Sequence, residues 1–549
     1  MNFLENIFAR LGNPADAVAL QELRDDQTVS ARSAELLGMI TEARAFLASC
    51  NLPKGERCAL LAPNSIQWIA MDLAIIAEGL IVVPLYSRQA PAELVTMMKD
   101  CSPALLMCSD EALRDGITAS WSEAPPRVLF SEVFKGAGMA ESKPCKVADA
   151  DVVAIIYTSG TSGEAKGVML TAANITHMLG CTSARLDLLI SGHSGQERVF
   201  HYLPMSFAGS WIIMLTSLMR GSLFMMNTDL SRIANDMRAS SPDYFLNVPA
   251  LLERMRKAVD EQLWKTGGIV LGLYSRAKAA WIRKQEGKAN FPDSMSLAVA
   301  RAVVFPTIRK KMIGSNLKAL ICGSAPLNVD TQLYFVMLGI PVLQGYGLTE
   351  TTALCTLDDP RNAVPGQVGP AIDGVEMRLA ENDEIVVRGP NIFPGYWMRP
   401  EGTAQVLSDG WFHTGDQGEM DVSGNWKIRG RIKNLIILGS GHNIAPEPIE
   451  DKLLQEVPTA QQVVLVGNGR GYLSAIVTGK VADEKVQAAI DRINPQLPHY
   501  KQIRAFHVRE EPFSIESGSL TANGKLKRDR IAEELKSEIE DMYRVKQAV

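Results

Sequence analysis

The chain has 549 residues, of which 46% are hydrophobic and 21% are charged, and its formal net charge is −5. This length exceeds what one hydrophobic core supports, so two or more domains are expected in a globular protein. The small negative charge gives no basis for nucleic acid as a partner. The eight cysteines form no CxxC pair, which argues against a zinc site and indicates reduced thiols in a cytoplasmic protein.

The most apolar stretch of the chain runs from Ile69 to Leu85 and is interrupted by Asp72, Gly79 and Pro84. These interruptions favour a buried helix that continues into a strand over a membrane span. The N-terminal residues also lack the basic and apolar regions of a secretory signal. Peripheral membrane contact stays open as an alternative.

From residue 56, short apolar runs alternate with helical stretches. A helix is predicted over Ser65–Glu78. Strands are predicted at Arg57–Ala62, Leu80–Leu85, Ala104–Cys108, Val152–Tyr157, Arg198–Leu203, Tyr244–Val248 and Leu317–Cys322. This alternation predicts an α/β fold with mainly parallel sheets.

The second half of the chain changes character. Residues 261–315, rich in Lys, Arg, Ala and Leu, are predicted to form an inserted set of helices with a loop at Gly287–Pro292. Short strands with turn signals follow, at Glu384–Arg388, Trp426–Arg429, Gln462–Val466, Tyr472–Thr478 and Ile503–Val508, with a helix at Glu484–Ile493 and a charged, solvated helix from Asp529. We predict a large body of several subdomains, residues 1–432, and a small mobile α+β lid, residues 433–549.

The sharpest local signal is the sequence YTSGTSGEAKG, from Tyr157 to Gly167. Glycines allow the backbone to approach an anion, amides and hydroxyls donate to its oxygens, and Lys166 adds a positive charge. The loop therefore indicates polyphosphate binding; the alternative is a Ser/Gly-rich surface turn. It is not a Walker A loop, since it lacks GxxxxGK[ST], and Ser162 does not lie in a GxSxG hydrolase elbow.

Four later segments occur with this loop. They read GYGLTE from Gly345 to Glu350, GWFHTGD from Gly410 to Asp416, GRIKN from Gly430 to Asn434, and NGK from Asn523 to Lys525. In this order and at this spacing, the five segments resemble the motifs of the adenylate-forming superfamily, which includes acyl-CoA synthetases, peptide-synthetase adenylation domains and luciferase. The resemblance spans residues 151–530.

The resemblance implies roles for individual residues. ATP would be bound by Thr158, Ser159, Gly160, Thr161, Ser162, Gly163, Lys166, Gly323, Ser324, Ala325, Gln344, Gly345, Tyr346, Gly347, Asp416, Ile428 and Arg431. Within this set Tyr346 would lie against adenine and Asp416 would accept from the ribose hydroxyls. Ser324 replaces a glycine, a departure expected to be harmless. Glu350 and Thr158 would hold Mg²⁺, which prefers hard oxygen ligands.

Three residues would carry the reaction, as the resemblance implies: Lys525, Thr349 and Glu350. Thr349 would contact the α-phosphate. Lys525 would reach from the lid to the carboxylate and the α-phosphate, where its charge offsets repulsion between two anions. No general base is needed, because a carboxylic acid is already ionised at neutral pH. Lys433 matches the hinge position on which the lid turns.

The substrate is indicated by the Leu-Pro motif, Leu203 to Ser210. Amino-acid-activating relatives have an Asp just after the aromatic residue, where this chain has Ala208. The apolar segments Trp211–Leu215 and Phe224–Met226 could line an acyl tunnel or be plain core, and core is favoured. Elsewhere in the chain, Ala298–Gly323, Gln344–Glu350 and the helical residues 261–315 most resemble long-chain fatty acyl-CoA synthetases.

Three departures from that pattern affect the acyl gate, the thiol site and the hinge: Phe207 where those enzymes usually have His, His442 where Glu is common, and Asn434 where Asp is frequent. The favoured function is activation of a medium- or long-chain fatty acid with ATP and Mg²⁺, followed by transfer to CoA. One alternative is another acceptor, a carrier-protein phosphopantetheine or an internal hydroxyl giving a β-lactone. The other is a non-enzymatic nucleotide-binding scaffold.

Overall fold

The structure is a computed structural model that describes residues 1–13, 16–24, 27–136, 144–159, 165–192, 194–514, 517–521 and 524–544. The body strands are β1 (Val18–Arg24), β2 (Gln27–Arg32), β3 (Arg57–Leu61), β4 (Ile81–Leu85), β5 (Leu105–Cys108), β6 (Arg127–Leu129), β7 (Val152–Ser159), β8 (Ala165–Thr171), β9 (Arg198–His201), β10 (Leu223–Asn227), β11 (Tyr244–Asn247), β12 (Ala319–Cys322), β13 (Val342–Tyr346), β14 (Thr356–Leu357), β15 (Glu376–Leu379), β16 (Glu384–Arg388), β17 (Leu407–Ser408), β18 (Trp411–Met420) and β19 (Trp426–Arg431).

The body helices are α1 (Phe3–Leu11), α2 (Ser33–Ser49), α3 (Ile66–Ala77), α4 (Pro91–Cys101), α5 (Glu111–Ser120), α6 (Phe130–Val133), α7 (Ala172–Leu189), α8 (Ala208–Arg220), α9 (Ile233–Ser240), α10 (Pro249–Thr266), α11 (Gly268–Gln285), α12 (Phe291–Val299), α13 (Phe305–Met312), α14 (Val329–Met337) and α15 (Pro400–Ala404). A π-helical turn, Ala300–Val304, joins α12 to α13. Within the described ranges, no helix combines the length and apolar character needed to cross a bilayer.

Two large, mainly parallel sheets and one antiparallel sheet build the body. The six-stranded sheet has the order β6-β5-β3-β4-β7-β8, with only β8 antiparallel to its neighbour. The eight-stranded sheet has the order β14-β13-β12-β11-β9-β10-β1-β2, with six parallel strands between antiparallel edges. Strands β15–β19 form the antiparallel sheet. The predicted α/β class is therefore confirmed.

Parallel strands are joined by crossover helices, which cover both faces of the sheet. Such strands must therefore be apolar along their whole length. Strand β4 (IVVPL) is buried along its whole length, and so is nearly all of β3. The stretch from Ile69 to Leu85 is a buried helix, α3, followed by β4, as predicted. The apolar segments after Phe207 lie in the largest core cluster, as the core interpretation predicts.

Residues 261–315 are helical, as predicted, with the loop between α11 and α12. They contribute no strand to a sheet, as predicted, and they pack on the body. Helices α10–α13 make the crossover between the parallel strands β11 and β12, and they bury Leu263, Tyr274 and Leu297 in the second core cluster. A crossover connection is what two parallel neighbours require.

The lid contains β20 (Ile436–Ile437), β21 (Asn443–Ile444), β22 (Gln462–Val466), β23 (Leu473–Thr478), β24 (Ile503–Arg509), α16 (Glu447–Glu456), α17 (Asp483–Ile493), α18 (Arg528–Glu534) and α19 (Lys536–Arg544). The prediction of one solvated terminal helix is wrong. The tail forms two helices, and Ile531, Ile539 and Met542 are buried with Val464 and Ile476 of the lid sheet. Apolar residues among the charges explain the difference, because they give each helix one face that packs.

Candidate active site

The two ends of the phosphate-binding motif lie on a pair of antiparallel strands, called the β-hairpin below. Strands β7 and β8 pair antiparallel, with Thr158 opposite Lys166 and Ser159 opposite Ala165. Residues directly opposite each other on such a pair project to the same side of the sheet. The hairpin therefore presents the Thr158 hydroxyl and the Lys166 ammonium together. The predicted loop residues Gly160, Thr161, Ser162 and Gly163 lie outside the described residues.

Tyr396 connects the hairpin to the predicted metal ligand. Its hydroxyl donates to Glu350 Oε1 over 2.9 Å, and the Lys166 ammonium lies 5.0 Å from the centroid of its ring. Burial and the Glu350 charge raise the pKa of Tyr396 well above its ordinary value, so the hydroxyl stays a donor. Sequence reasoning missed this residue, because a tyrosine in a loop carries no spacing signal.

The segment after β13 is a tight turn that only glycine can make at position 347. A Cβ atom there would lie 2.1 Å from the Ala353 carbonyl oxygen. The turn leads into a single 3₁₀ turn, Thr349–Thr351, and Phe393 donates its backbone N–H to the Glu350 carbonyl. Backbone contacts thus fix the direction of the predicted catalytic Thr349 and Glu350.

Asp416 is almost fully buried and both of its oxygens accept from the protein. Tyr346 donates its hydroxyl to Oδ2 over 2.8 Å, and Arg431 Nε lies 3.0 Å from Oδ1. Burial and the Asp416 carboxylate raise the pKa of Tyr346 well above 10. The structure thus brings together three residues predicted for adenosine binding, and Ile428 lies on the same strand as Arg431.

The GWFHTGD segment is held by a residue that sequence reasoning did not assign to the site. Glu384, at the start of β16, accepts from the backbone N–H of Gly415 and contacts His413 Nδ1, both over 2.9 Å. Its carboxylate therefore fixes the turn immediately before Asp416. A residue acting through backbone contacts in this way leaves no motif in the sequence.

Two predicted nucleotide-binding residues have local geometry that the motifs do not specify. Gln344 is buried, and its side-chain amide donates to Gln332 and to the Gln367 carbonyl, so it supports the strand from inside the protein. Ser324 has φ +72°, a region that costs an L-residue about 1 kcal/mol relative to glycine. Its replacement of glycine is therefore not neutral. Its neighbours Gly323 and Ala325 follow the end of β12.

Two lysines of the C-terminal domain interact electrostatically with charged residues of the candidate site. Desolvation and the Arg431 guanidinium lower the pKa of Lys525, while Asp416 and Glu350 oppose this effect. The hydroxyl of Thr521 accepts from the Lys525 backbone N–H over 3.1 Å, which shapes the turn that presents the lysine. Sequence reasoning assigned Lys525 to this position.

The second lysine, Lys433, was predicted only as a hinge. It lies in the 3₁₀ turn Ile432–Asn434 that follows β19. Desolvation and the neighbouring cations Arg431 and Lys166 lower its pKa to about 8, against the pull of Asp416 and Glu350. The charges of the candidate site therefore act on this ammonium.

The predicted acyl gate, Phe207, is the N-cap of α8, and its ring lies 5.8 Å from that of Tyr86. Ala208 is buried and brings no charge. A buried carboxylate does lie beneath α8: Asp72, on α3, accepts from Trp211 Nε1 with both oxygens, at 3.1 and 3.0 Å. Because both carboxylate oxygens contact Trp211, Asp72 joins the core helices α3 and α8 through an internal hydrogen bond. Burial raises its pKa to about 7.

The donors near the hairpin fit Mg²⁺ better than a softer metal. Glu350 supplies a carboxylate and Thr158 a hydroxyl, which are hard oxygen ligands. Across the described ranges, no cluster of three or more His, Cys, Asp or Glu side chains suits a transition metal. Mg²⁺ takes few protein ligands and keeps waters, so one carboxylate near phosphate oxygens is sufficient.

Known proteins resemble this chain in sequence and in fold. The family model of AMP-binding enzymes matches residues 8–397, and that of the AMP-binding enzyme C-terminal domain matches residues 433–547. The chain is 26% identical to the long-chain-fatty-acid–CoA ligase FadD15 of Mycobacterium bovis, over 99% of this chain and 97% of that protein. It is 27% identical to long chain acyl-CoA synthetase 3 of Arabidopsis thaliana, over 89% of this chain and 83% of that protein.

A solved structure agrees in fold. The o-succinylbenzoate CoA synthetase of Bacillus subtilis, in complex with its acyl-adenylate intermediate, matches with a TM-score of 0.74 at 21% identity, covering 96% of this chain and 97% of that one. The chain therefore belongs to the AMP-binding enzyme family. This confirms the prediction of an adenylate-forming acid–thiol ligase at the level of the family.

Proposed function

We propose that the chain activates a medium- or long-chain fatty acid with ATP, releases pyrophosphate, and transfers the acyl group from acyl-AMP to CoA. The observation that carries this proposal is a cluster of predicted nucleotide-binding side chains in the body. Tyr396 bonds to Glu350 beside Lys166, and Tyr346 and Arg431 both contact Asp416. The relatives named as long-chain-fatty-acid–CoA ligases support the choice of acid and acceptor.

In the first half-reaction a carboxylate oxygen attacks the α-phosphorus of ATP. The bond from that phosphorus to the bridging oxygen breaks, and pyrophosphate leaves with the electron pair. The Lys525 ammonium would draw the two anions together, and Lys166 would stabilise the charge that grows on the leaving phosphates. Mg²⁺ held by Glu350 and Thr158 would neutralise further phosphate charge.

In the second half-reaction the thiol sulfur attacks the acyl carbon, AMP leaves with the electron pair of the acyl–oxygen bond, and the thiol proton goes to solvent. For this step Lys525 must leave the carboxylate. We propose that residues 433–549 turn on Lys433 and present the loop Gly439–Asn443 to the acceptor. The 3₁₀ turn around Lys433 supports this, because a short element terminus can absorb a large change in φ and ψ.

The apolar surroundings of the proposed acyl site support a fatty acid. Ala208 offers no partner to an ammonium, and Phe207 and Tyr86 form an aromatic wall. Each methylene of the substrate that becomes buried should contribute up to roughly 0.8 kcal/mol.

The eight free cysteines are what a reducing compartment would maintain, which supports a cytosolic location as part of the proposal.

Pyrophosphate release tests the proposal. The purified chain should release pyrophosphate with straight-chain acids, with affinity rising with chain length, and CoA should accelerate turnover. Release that is independent of CoA, with product found on a carrier protein or as a β-lactone, would identify another acceptor. No release with any acid would leave a nucleotide-binding scaffold. Lys525→Ala should lose release by several orders of magnitude, while Lys480→Ala, an exposed lysine elsewhere in the lid, should not.

A further inference from the structure

The helices that cross from β11 to β12 carry an unusual amount of exposed apolar surface. Eight of the eighteen large exposed apolar side chains among the described residues lie between residues 264 and 303. Phe291, Met295, Val299 and Val303 recur at four-residue spacing along α12 and the π turn, so they follow one face. Trp264, Ile269 and Val270 lie on the adjoining ends of α10 and α11, and Ile282 lies near the C-terminal end of α11.

The opposite sides of the same helices are buried. Helix α12 and the π turn pack along α11, and Tyr274, Ala277, Leu297 and Ala300 point into the second core cluster. These helices therefore have an inner apolar side that the body covers and an outer apolar side that no described element covers. We name this outer side, from Trp264 to Val303, the outer face. Phe291 and Ile269 on it are 79% and 83% exposed.

The outer face lies in the most basic part of the chain. Residues 264–312 contain ten Lys or Arg and only two acidic residues, in a chain whose net charge is −5. Both acidic residues are already paired, Asp293 with Arg283 and Glu286 with Lys288. In the described part of the chain, Arg276, Lys284 and Arg301 have no acidic partner, and they remain exposed.

Scattered exposed apolar residues are ordinary, but a contiguous apolar surface rimmed by like charge indicates a partner. A second copy of the same surface would bring two sets of uncompensated cations together. A bilayer with anionic lipids satisfies both properties, since apolar side chains enter the acyl boundary and basic residues meet negative headgroups. The charge therefore favours a lipid surface.

We propose that the outer face of α10–α13 docks this protein on membranes that contain anionic lipids. The strands before and after these helices, β11 and β12, end at Asn247 and at Cys322, beside the Gly323–Ala325 segment of the candidate site. If the proposed function holds, docking would bring the enzyme to the phase in which long-chain acids dissolve. The docking itself does not depend on that activity.

Vesicle flotation tests this. The full chain should float with vesicles of phosphatidylcholine containing about 30% phosphatidylglycerol, bind pure phosphatidylcholine much less, and detach when NaCl rises from about 50 to about 500 mM. The variant Met295→Ser/Val299→Ser/Val303→Ser should lose about tenfold or more in partitioning. Its matched control is Val29→Ser/Leu379→Ser/Val422→Ser, which changes exposed apolar residues elsewhere and should bind normally.

A charge-reversal variant removes the other half of the interaction. Arg276→Glu/Lys284→Glu/Arg301→Glu should abolish the preference for anionic vesicles, whereas Lys452→Glu/Lys485→Glu/Lys536→Glu, at exposed lid positions, should keep it. Thermal melting of all four variants checks folding. Equal flotation of the wild type and the face variants would overturn the proposal. The proposal would also be overturned if the wild type bound no vesicles but self-associated with rising concentration, and if the face variants lost that self-association. Pyrophosphate release from a short, water-soluble acid separates failure of the activity from failure of docking.

Discussion

The hydroxyl of Tyr396 donates to Glu350 over 2.9 Å while the Lys166 ammonium lies 5.0 Å from the same ring. One side chain thus contacts the predicted metal ligand through its hydroxyl and the predicted phosphate ligand through its π face. The first contact fixes one carboxylate oxygen of Glu350, and the second limits where the flexible lysine stem can point.

Tyr396→Phe separates these two contacts, because it removes the hydroxyl and keeps the ring. We expect a lower rate of pyrophosphate release, by about tenfold, and a higher Mg²⁺ concentration for half-maximal binding of a fluorescent ATP analogue, since a lost hydrogen bond to a charged group costs about 1.5–3 kcal/mol. Tyr396→Leu should lose more, as the cation also loses its partner. Unchanged Mg²⁺ dependence in Tyr396→Phe would contradict the positioning role.

The matched control for that experiment is Tyr543→Phe in the lid. The Tyr543 hydroxyl lies 3.0 and 3.2 Å from the carbonyl oxygens of Val466 and Tyr472, so its removal also costs a hydrogen bond from a buried tyrosine. It should lower thermal stability without changing the Mg²⁺ dependence of nucleotide binding.

Asn434 is explained by its neighbour. Its amide donates to Glu447 Oε1 over 2.7 Å, so aspartate at this position would place two carboxylates in contact. We expect Asn434→Asp to lower the free energy of unfolding by about 1–3 kcal/mol and to impair both half-reactions. The double variant Asn434→Asp/Glu447→Gln should recover most of the loss, because an amide can donate to the new carboxylate. Additive losses in this cycle would show that the contact carries no energy.

Sequence reasoning succeeded where one local pattern decides the structure. The short apolar runs predicted as strands at Arg57–Ala62 and Leu80–Leu85 are buried, parallel strands. It failed where long-range packing decides. Ile531 in the charged tail and Tyr396 in a loop acquire their roles only from partners far away in the chain. The internal hydrogen bonds of Gln344 depend on the direction of its side chain. The positive φ of Ser324 depends on the local backbone, and no motif states either property.

Asp72 should make stability depend on pH. Its pKa is raised from 3.8 to about 7, so the folded state binds this proton more tightly than the unfolded state. The stabilising contribution of Asp72 to the free energy of unfolding is fully present below about pH 4. It falls as the pH rises to about 7, and the free energy of unfolding no longer changes through this group above that pH. Asp72→Asn, which can still accept from Trp211, should therefore raise the melting temperature more at pH 8 than at pH 4.

The gain at pH 8 has an upper bound of about 4 kcal/mol, from three pKa units at 1.36 kcal/mol each. Melting curves of Asp72→Asn and the wild type across pH 4 to 8 measure it, and the exposed Asp409→Asn serves as control. A constant difference between Asp72→Asn and the wild type at every pH would mean that the carboxyl does not titrate in the folded state.

Lys433 can act through its backbone or through its charge, and two substitutions distinguish them. Proline fixes φ near about −65°, which the 3₁₀ turn at Ile432–Asn434 tolerates but a turning hinge does not. Lys433→Pro should therefore keep adenylation, with a modest loss, and suppress thiol transfer by orders of magnitude. Lys433→Ala leaves φ free and should affect both half-reactions alike.

The charge can be followed through pH, because the pKa of Lys433 is lowered to about 8. If the ammonium itself acts on the reactants, wild-type adenylation falls as the pH rises through 8. Lys433→Arg, charged at every accessible pH, then keeps its activity above that point. Both half-reactions should be measured separately in Lys433→Pro, Lys433→Ala and Lys433→Arg from pH 7 to 9. Equal, modest losses in Lys433→Pro and Lys433→Ala would place the hinge elsewhere. A selective loss of transfer in Lys433→Pro alone assigns the turning of the lid to this residue.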